Sequence, residues 1–231
     1  MRKGERMRVS VVIPVLNEAA GIARTLMQLR QAGVWQSIVV DGGSDDDTVS
    51  LARLYADVVM SSPRGRARQM NAGGHVAEGE VLLFLHADTD LPQGCLQLLT
   101  DALNDPQVVG GRFDVRLDAE GWPFRMIETL MNVRSRMTKI STGDQAIFVR
   151  HAVFQKMGGY PELELMEDVE FSRRLKREGR IACLRERVTT SARRWQRDGV
   201  ARTIVKMWML RLCHFLRVSP ARLRVHYADT R

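Results

Sequence analysis

The sequence predicts an α/β fold: a Rossmann-like, mostly parallel central sheet flanked by helices. Three observations predict it. Short, wholly apolar and β-branched runs at 9–15 (VSVVIPV), 37–40 (SIVV) and 81–85 (VLLFL) read as strands buried on both faces. Helical stretches alternate with them, and right-handed crossovers then give parallel neighbours. Each run also ends abruptly in polar residues, as strands do when their carboxyl ends border a ligand crevice.

In order along the chain, residues 9–15 form the first strand, and Asn17 is expected to cap a helix over 19–31 that Gly33 ends. A second strand covers 37–40. Asp45, Asp46 and Asp47 then offer N-caps for a helix running through Leu54. A short strand at 58–61, a helix at 66–76 and the strand at 81–85 follow. After Asp105-Pro106 the pattern changes. Residues 108–117 (VVGGRFDVRL) alternate as a strand or hairpin arm. Residues 122–137 read as a helix whose apolar stripe holds Met126, Ile127, Leu130, Met131 and Val133. A strand at 146–149, a short helix at 152–157 and a strongly polar helix at 168–178 complete the body. There is no internal repeat and no low-complexity linker.

The chain has 231 residues, 45% hydrophobic and 27% charged, enough for a sizeable core and unlike a disordered or collagenous chain. Its net charge of +8 and pI of about 10.0 suggest nucleic acid at first sight. The distribution argues otherwise. Residues 171–231 carry 17 basic and 4 acidic side chains, against 18 and 23 in the rest. A mildly acidic body therefore bears a strongly basic C-terminal quarter, and with 6% aromatics it lacks the stacking platforms of an RNA binder. Cys95, Cys183 and Cys213 are odd in number and far apart, which excludes a disulfide framework and suits a reducing, cytoplasmic compartment. No secretory leader is expected, because the apolar run after Met1–Arg8 is short and broken by Pro14 and Asn17. No run is long and apolar enough to span a bilayer. Residues 202–218 (RTIVKMWMLRLCHFLRV) place Arg202, Lys206, His214 and Arg217 on one face of a helix. Such a helix lies on a membrane surface, in a dimer interface or against the core.

The polar strand ends carry the chemistry. Asp41 follows a strand and precedes two glycines, so its carboxylate can meet a ligand that approaches the backbone closely. His86, Asp88 and Asp90 alternate directly after a buried strand. Hard oxygen donors there suit Mg²⁺ or Mn²⁺, with substrate phosphates completing the shell.

IPVLNE, DGGSDDDT, RQMNAG, FLHADTDLP and GGYPELELMEDVEFSRRLKR, in this order and spacing, resemble a family 2 glycosyltransferase of the GT-A fold, from about residue 9 to residue 195. FLHADT and the late SARRW resemble a short bacterial subgroup described as radical-SAM and selenodomain-associated transferases. The resemblance implies a nucleoside-diphosphate sugar donor, with UDP the expected nucleotide. It implies Asp41 on the base, Pro14 and Glu18 lining the nucleoside pocket, and Arg68 and Asn71 on the nucleotide. Arg64 and Arg66 join Arg68 as cations for diphosphate. The family's Asp-X-Asp falls on His86 and Asp88, which implies His86 on the nucleotide sugar near the ribose, or literally on Asp88 and Asp90, with Asp88 the main metal ligand and Asp90 the second. Glu167-Asp168 matches the family's ED motif, with Asp168 the general base and Glu167 at the cap of the following helix. Gly143, Asp144 and Gln145 shape the acceptor pocket. SARRW lacks the leading Gln of processive relatives; it implies Trp195 on the acceptor sugar and Arg194, before Arg193, at the diphosphate.

The implied reaction is a metal-dependent, inverting single displacement. The implied organisation is one GT-A catalytic domain over 1–198, with a nucleotide-sugar half to about 105 and an acceptor half beyond it. A basic helical extension fills 199–231 and places the protein in the cytoplasm or on the inner face of an anionic membrane. The acceptor is a small hydroxyl compound or a lipid, a homodimer is compatible, and no nucleic acid is expected. A late metal ligand at His214 or His226 is the weaker option. The alternatives are a sugar-nucleotide nucleotidyltransferase, whose Gly-rich N-terminal loop is replaced here by IPVLNE, and an anion- or nucleic-acid-binding module built on the basic quarter.

Overall fold

A computed structural model describes residues 7–199, 202–205 and 209. Most of the basic segment at 202–218, with Cys213, His214 and His226, lies outside the described residues.

The first half is a parallel sheet, as expected. β1 (Val9–Val15), β2 (Gln36–Asp41), β3 (Val58–Ser61) and β4 (Val81–Phe84) pair in the order β3-β2-β1-β4, all parallel. α1 (Ala19–Ala32), α2 (Thr48–Ala52) and α3 (Arg66–Val76) make the crossovers. Beyond β4 the sheet becomes mixed. After β5 (Thr89–Asp90) and α4 (Cys95–Leu103), β6 (Val108–Asp118) and α5 (Trp122–Thr138) lead through a 3-10 turn (Gly143–Gln145) into β7 (Ile147–Arg150). β7 runs antiparallel to both β4 and β6. α6 (His151–Lys156) and α7 (Glu167–Glu178) precede β8 (Arg180–Ser191), which is parallel to β6 and antiparallel to β5. α8 (Arg193–Asp198) follows.

Alternation along β1 explains the two cores. Val9, Val11, Ile13 and Val15 face Ile22, Leu26 and Leu29 of α1 and Leu99 and Leu103 of α4. Val12 faces the other way, toward Ala67 and Met70 of α3, Phe154 of α6, and Phe171 and Leu175 of α7. α3 lies unusually close to the sheet, since a Cβ at Gly73 would stand 2.4 Å from Val12 Cγ1 and 3.0 Å from Val40 Cγ2.

α5 departs from the expected stripe. Its inward face holds Ile127 and Met131 beside the polar Glu128, Asn132 and Ser135. The Asn132 amide makes both backbone hydrogen bonds to Val115 of β6, and Glu128 accepts from Leu117 N. Asp114 takes the wholly buried Arg112 and, from α5, Arg136. These polar links clamp α5 to β6, so Met126, Leu130 and Val133 turn outward.

Candidate active site

Strand order reverses between β1 and β4, the switch point where open α/β sheets form their crevice. The ends of those strands and the 142–145 loop close a narrow cleft lined by Pro14, His86, Gly143, Tyr160, Glu167 and Asp168, among others. Five of the residues singled out in the sequence thus meet around one space.

Asp168 is the second residue of α7, and its carboxylate is held by backbone donors. Gly143 N–H donates to Oδ2 at 2.8 Å and Val169 N–H to Oδ1 at 2.7 Å. The helix N-terminus favours its negative charge. Gly143 also packs on His86: a Cβ there would stand 2.6 Å from His86 Nε2. His86 Nδ1 lies 3.4 Å from Asp144 Oδ1. The loop that the sequence could only assign to the acceptor side therefore spans from the end of β4 to the carboxylate at the start of α7. Gln145 is buried within the turn, where its Oε1 accepts from Thr142 N at 3.2 Å. Under the cleft, Tyr160 stacks on Phe171 with centroids 3.9 Å apart, and Phe84 meets its edge at 4.9 Å. Burial, with the charges of Asp168 and Glu167, raises the Tyr160 phenol well above its ordinary pKa.

A second grouping lies at the ends of β1 and β4. One guanidinium nitrogen of Arg193 lies 3.3 Å from both Glu18 Oε2 and Asp88 Oδ2. Partial burial opposes the Arg193 charge, but the Asp88 and Glu18 carboxylates outweigh it and raise its pKa. Sequence reasoning put Arg194 ahead of Arg193. The side chain of Arg194 lies outside the described residues, and that of Arg193 reaches the carboxylates.

The donor set for a metal can be tested on this grouping. A cationic group already stands between two carboxylates, one of them the partly exposed Asp88. Among the described residues no cluster of three ligating side chains exists. Mg²⁺ or Mn²⁺ needs only one or two protein carboxylates when substrate phosphates complete its shell, and Asp88 and Glu18 offer two. Asp90 is engaged elsewhere, since both its oxygens accept from Arg24 at 2.8 Å.

Other expected contacts are also committed within the fold. Asn71 pairs with the Tyr160 backbone, donating to its carbonyl at 2.9 Å and accepting from its N–H at 2.7 Å. Arg68 Nε donates to Glu162 at 3.2 Å. Both hold the 158–162 loop. Trp195 packs with Leu117, Phe124 and Met131. Asp41 is buried, and its carboxylate accepts from Gly43 N, Ser44 N and Ser44 Oγ, which sets the turn after β2. Asn17 does not cap α1. Its φ of 54° is left-handed, and its Oδ1 accepts from Asp45 N at 3.0 Å. Asp46 supplies the cap instead, accepting from Ala19 N at 3.2 Å, while Glu18 N donates to Thr48 Oγ1 at 2.8 Å. Gln69 Nε2, which lies in the RQMNAG motif but had no role assigned from it, ties the ends of β1 and β2 by donating to Val15 O and Val40 O at 2.8 Å each.

The family model described as glycosyl transferase family 2 matches residues 10–158. The chain is 27% identical over 170 residues to the glycosyltransferase AglE of Haloferax volcanii, covering 66% of this chain and 56% of that protein. It is 28% identical over 158 residues to an undecaprenyl-phosphate 4-deoxy-4-formamido-L-arabinose transferase of Pseudomonas paraeruginosa, covering 62% of this chain and 46% of that one. It thus spans about half the length of these relatives. The structure of S. aureus TarS 1–349 in complex with UDP superimposes with a TM-score of 0.65 at 21% identity, over 80% of this chain and 60% of that one. That likeness establishes the GT-A fold.

Proposed function

Because the chain belongs to glycosyl transferase family 2, we propose that it moves a sugar from a nucleoside-diphosphate sugar, a UDP-sugar in the first instance, to a hydroxyl acceptor with inversion. The observation that carries this is the pairing of Asp168, aimed by Gly143 N–H, with a carboxylate-and-arginine grouping across the same strand ends. The roles divide between a proton acceptor and a cationic end. Asp168 takes the acceptor hydroxyl's proton as that oxygen bonds to the anomeric carbon. The bond from that carbon to the diphosphate breaks, and its electron pair leaves with the nucleoside diphosphate. Arg193, released from Asp88, meets the departing charge. Asp88, with Glu18, would hold a divalent metal, which would supply positive charge against the leaving diphosphate. Pro14, Asp41 and the Gly42-Gly43 turn form the base pocket, where missing side chains allow close approach. His86, Asp144 and Gly143 shape the acceptor side.

UDP is supported by the complex of TarS with UDP-GlcNAc, a protein of the same fold. Among the described residues no helix is long and apolar enough to cross a membrane. A cytoplasmic enzyme whose basic tail contacts anionic lipid is the matching placement. Thermal shift with UDP-, GDP- and dTDP-sugars, with and without Mn²⁺, tests the reading, and stabilisation by UDP-sugar with Mn²⁺ is expected. No shift with any nucleotide refutes it. Asp168→Asn should abolish UDP release while UDP still binds.

A further inference from the structure

α5 is inverted relative to an ordinary surface helix. It buries Glu128, Asn132 and Ser135 and exposes Trp122, Met126, Leu130, Val133 and Met137, which are 41–80% accessible. At about 100° per residue these five fall within about 80° of arc, so they form one continuous stripe. The exposed residues of the helix otherwise number only Thr129 and Thr138. Arg125 and Arg136, on one side of the stripe, are paired with the buried Glu128 and Asp114, and the exposed Lys139 follows its end. The stripe continues toward the tail: Ile204 packs in the cluster of Phe124, Ile127 and Met131, and Val205 and Met209 are exposed.

We infer that this face is a docking surface for an anionic lipid bilayer, lying parallel to the membrane with its apolar stripe in the headgroup–acyl boundary. Two observations select that occupant. The described cations left in solvent beside the stripe are Lys139 at its end and Arg202 before its continuation, and residues 200–231 carry seven basic and one acidic side chain beyond the histidines. Charge of that sign is complemented by an anionic surface. The stripe is also too small for a stable dimer. Seventeen residues span about 25 Å and a helix is about 10 Å wide, giving about 250 Å² per copy. Specific interfaces use about 800 Å² per partner.

Resting on the transferase reading, the docking also names an acceptor class. α5 runs directly into the 142–145 loop that reaches Asp168, so a bilayer beneath α5 presents a membrane-embedded acceptor at that side of the cleft. The full-length protein is floated with vesicles made half of phosphatidylglycerol and half of phosphatidylcholine, and with pure phosphatidylcholine. Binding is expected to the first and not the second. Leu130→Ser/Met137→Ser changes two side chains already in solvent and should lower partitioning roughly tenfold, with unchanged melting and unchanged UDP-induced thermal shift. Unaltered flotation of the variant overturns the inference, as does a concentration-dependent dimer in wild type that the variant abolishes. Because UDP binding is read separately, failure of the donor reading appears as loss of that shift in both proteins.

Discussion

Replacing Gly143 with alanine puts a methyl group where the structure has no room for one. The Cβ would stand 2.6 Å from His86 Nε2 and 2.9 Å from Cε1, against a comfortable separation of about 3.5 Å. The imidazole is almost fully buried at the end of β4, so the 3-10 turn is the part that gives way. A retreat of about 0.9 Å would stretch the 2.8 Å Gly143 N–H to Asp168 bond to about 3.7 Å, beyond useful hydrogen-bond range. A hydrogen bond to a charged group is worth about 1.5–3 kcal/mol, so turnover should fall roughly 10- to 150-fold. The assay is UDP release from UDP-sugar, with calorimetric UDP affinity measured alongside, because Gly143 and Pro14 line one cleft and only the loss seen at saturating donor belongs to Asp168. His86→Ala removes the obstacle, so in that background Gly143→Ala should add little. Undiminished turnover in Gly143→Ala, or equal additive losses in the two backgrounds, would refute the positioning of Asp168 by this loop.

Asp88→Asn should remove Mn²⁺ stimulation of UDP release. Asp90→Asn should leave it and cost under about 1 kcal/mol in a denaturant melt, since Arg24 and Asp90 form a partly exposed pair. Gly73→Ala should destabilise by about 1–3 kcal/mol by driving α3 off Val12, read as a lower Tm with unchanged UDP affinity in the surviving fold. The raised pKa of Tyr160 means that above about pH 10 the unfolded phenol ionises before the folded one. Stability should therefore be complete below that pH and decline above it, and Tyr160→Phe should flatten the decline in a urea-melt series.

The strand at 9–15 was legible because both its faces are buried, and 58–61, which is only half-buried, and the helix at 66–76 also agree with the structure to the residue. Burial on both faces leaves a continuous apolar run that reads without knowing the partners. β8 was not legible, since RIACLRERVTTS is half exposed and carries charges on a strand that pairs in part at the margin of the sheet. Nor did sequence reasoning place α4, although CLQLLTDAL is amphipathic. Within the site, residue types at strand ends were readable, but the orientation of each side chain was not. Asp90 and Asp88 differ by two positions, and only the course of α1 decides that Arg24 reaches one of them. The resemblance implied Asn71 on the nucleotide, and its pairing with the Tyr160 backbone was not readable from the motif.

The loops after β1 and β2 are laced to each other by Asn17 N to Ser44 Oγ, Asp45 N to Asn17 Oδ1, Glu18 N to Thr48 Oγ1 and Ala19 N to Asp46. They cannot be exchanged one at a time. A graft that imports only the DGGSDDDT segment of another transferase strands the first N–H groups of α1 without their acceptors. A change of donor must therefore be engineered, or inherited, as a single cassette of two segments that lie 27–30 residues apart in the chain.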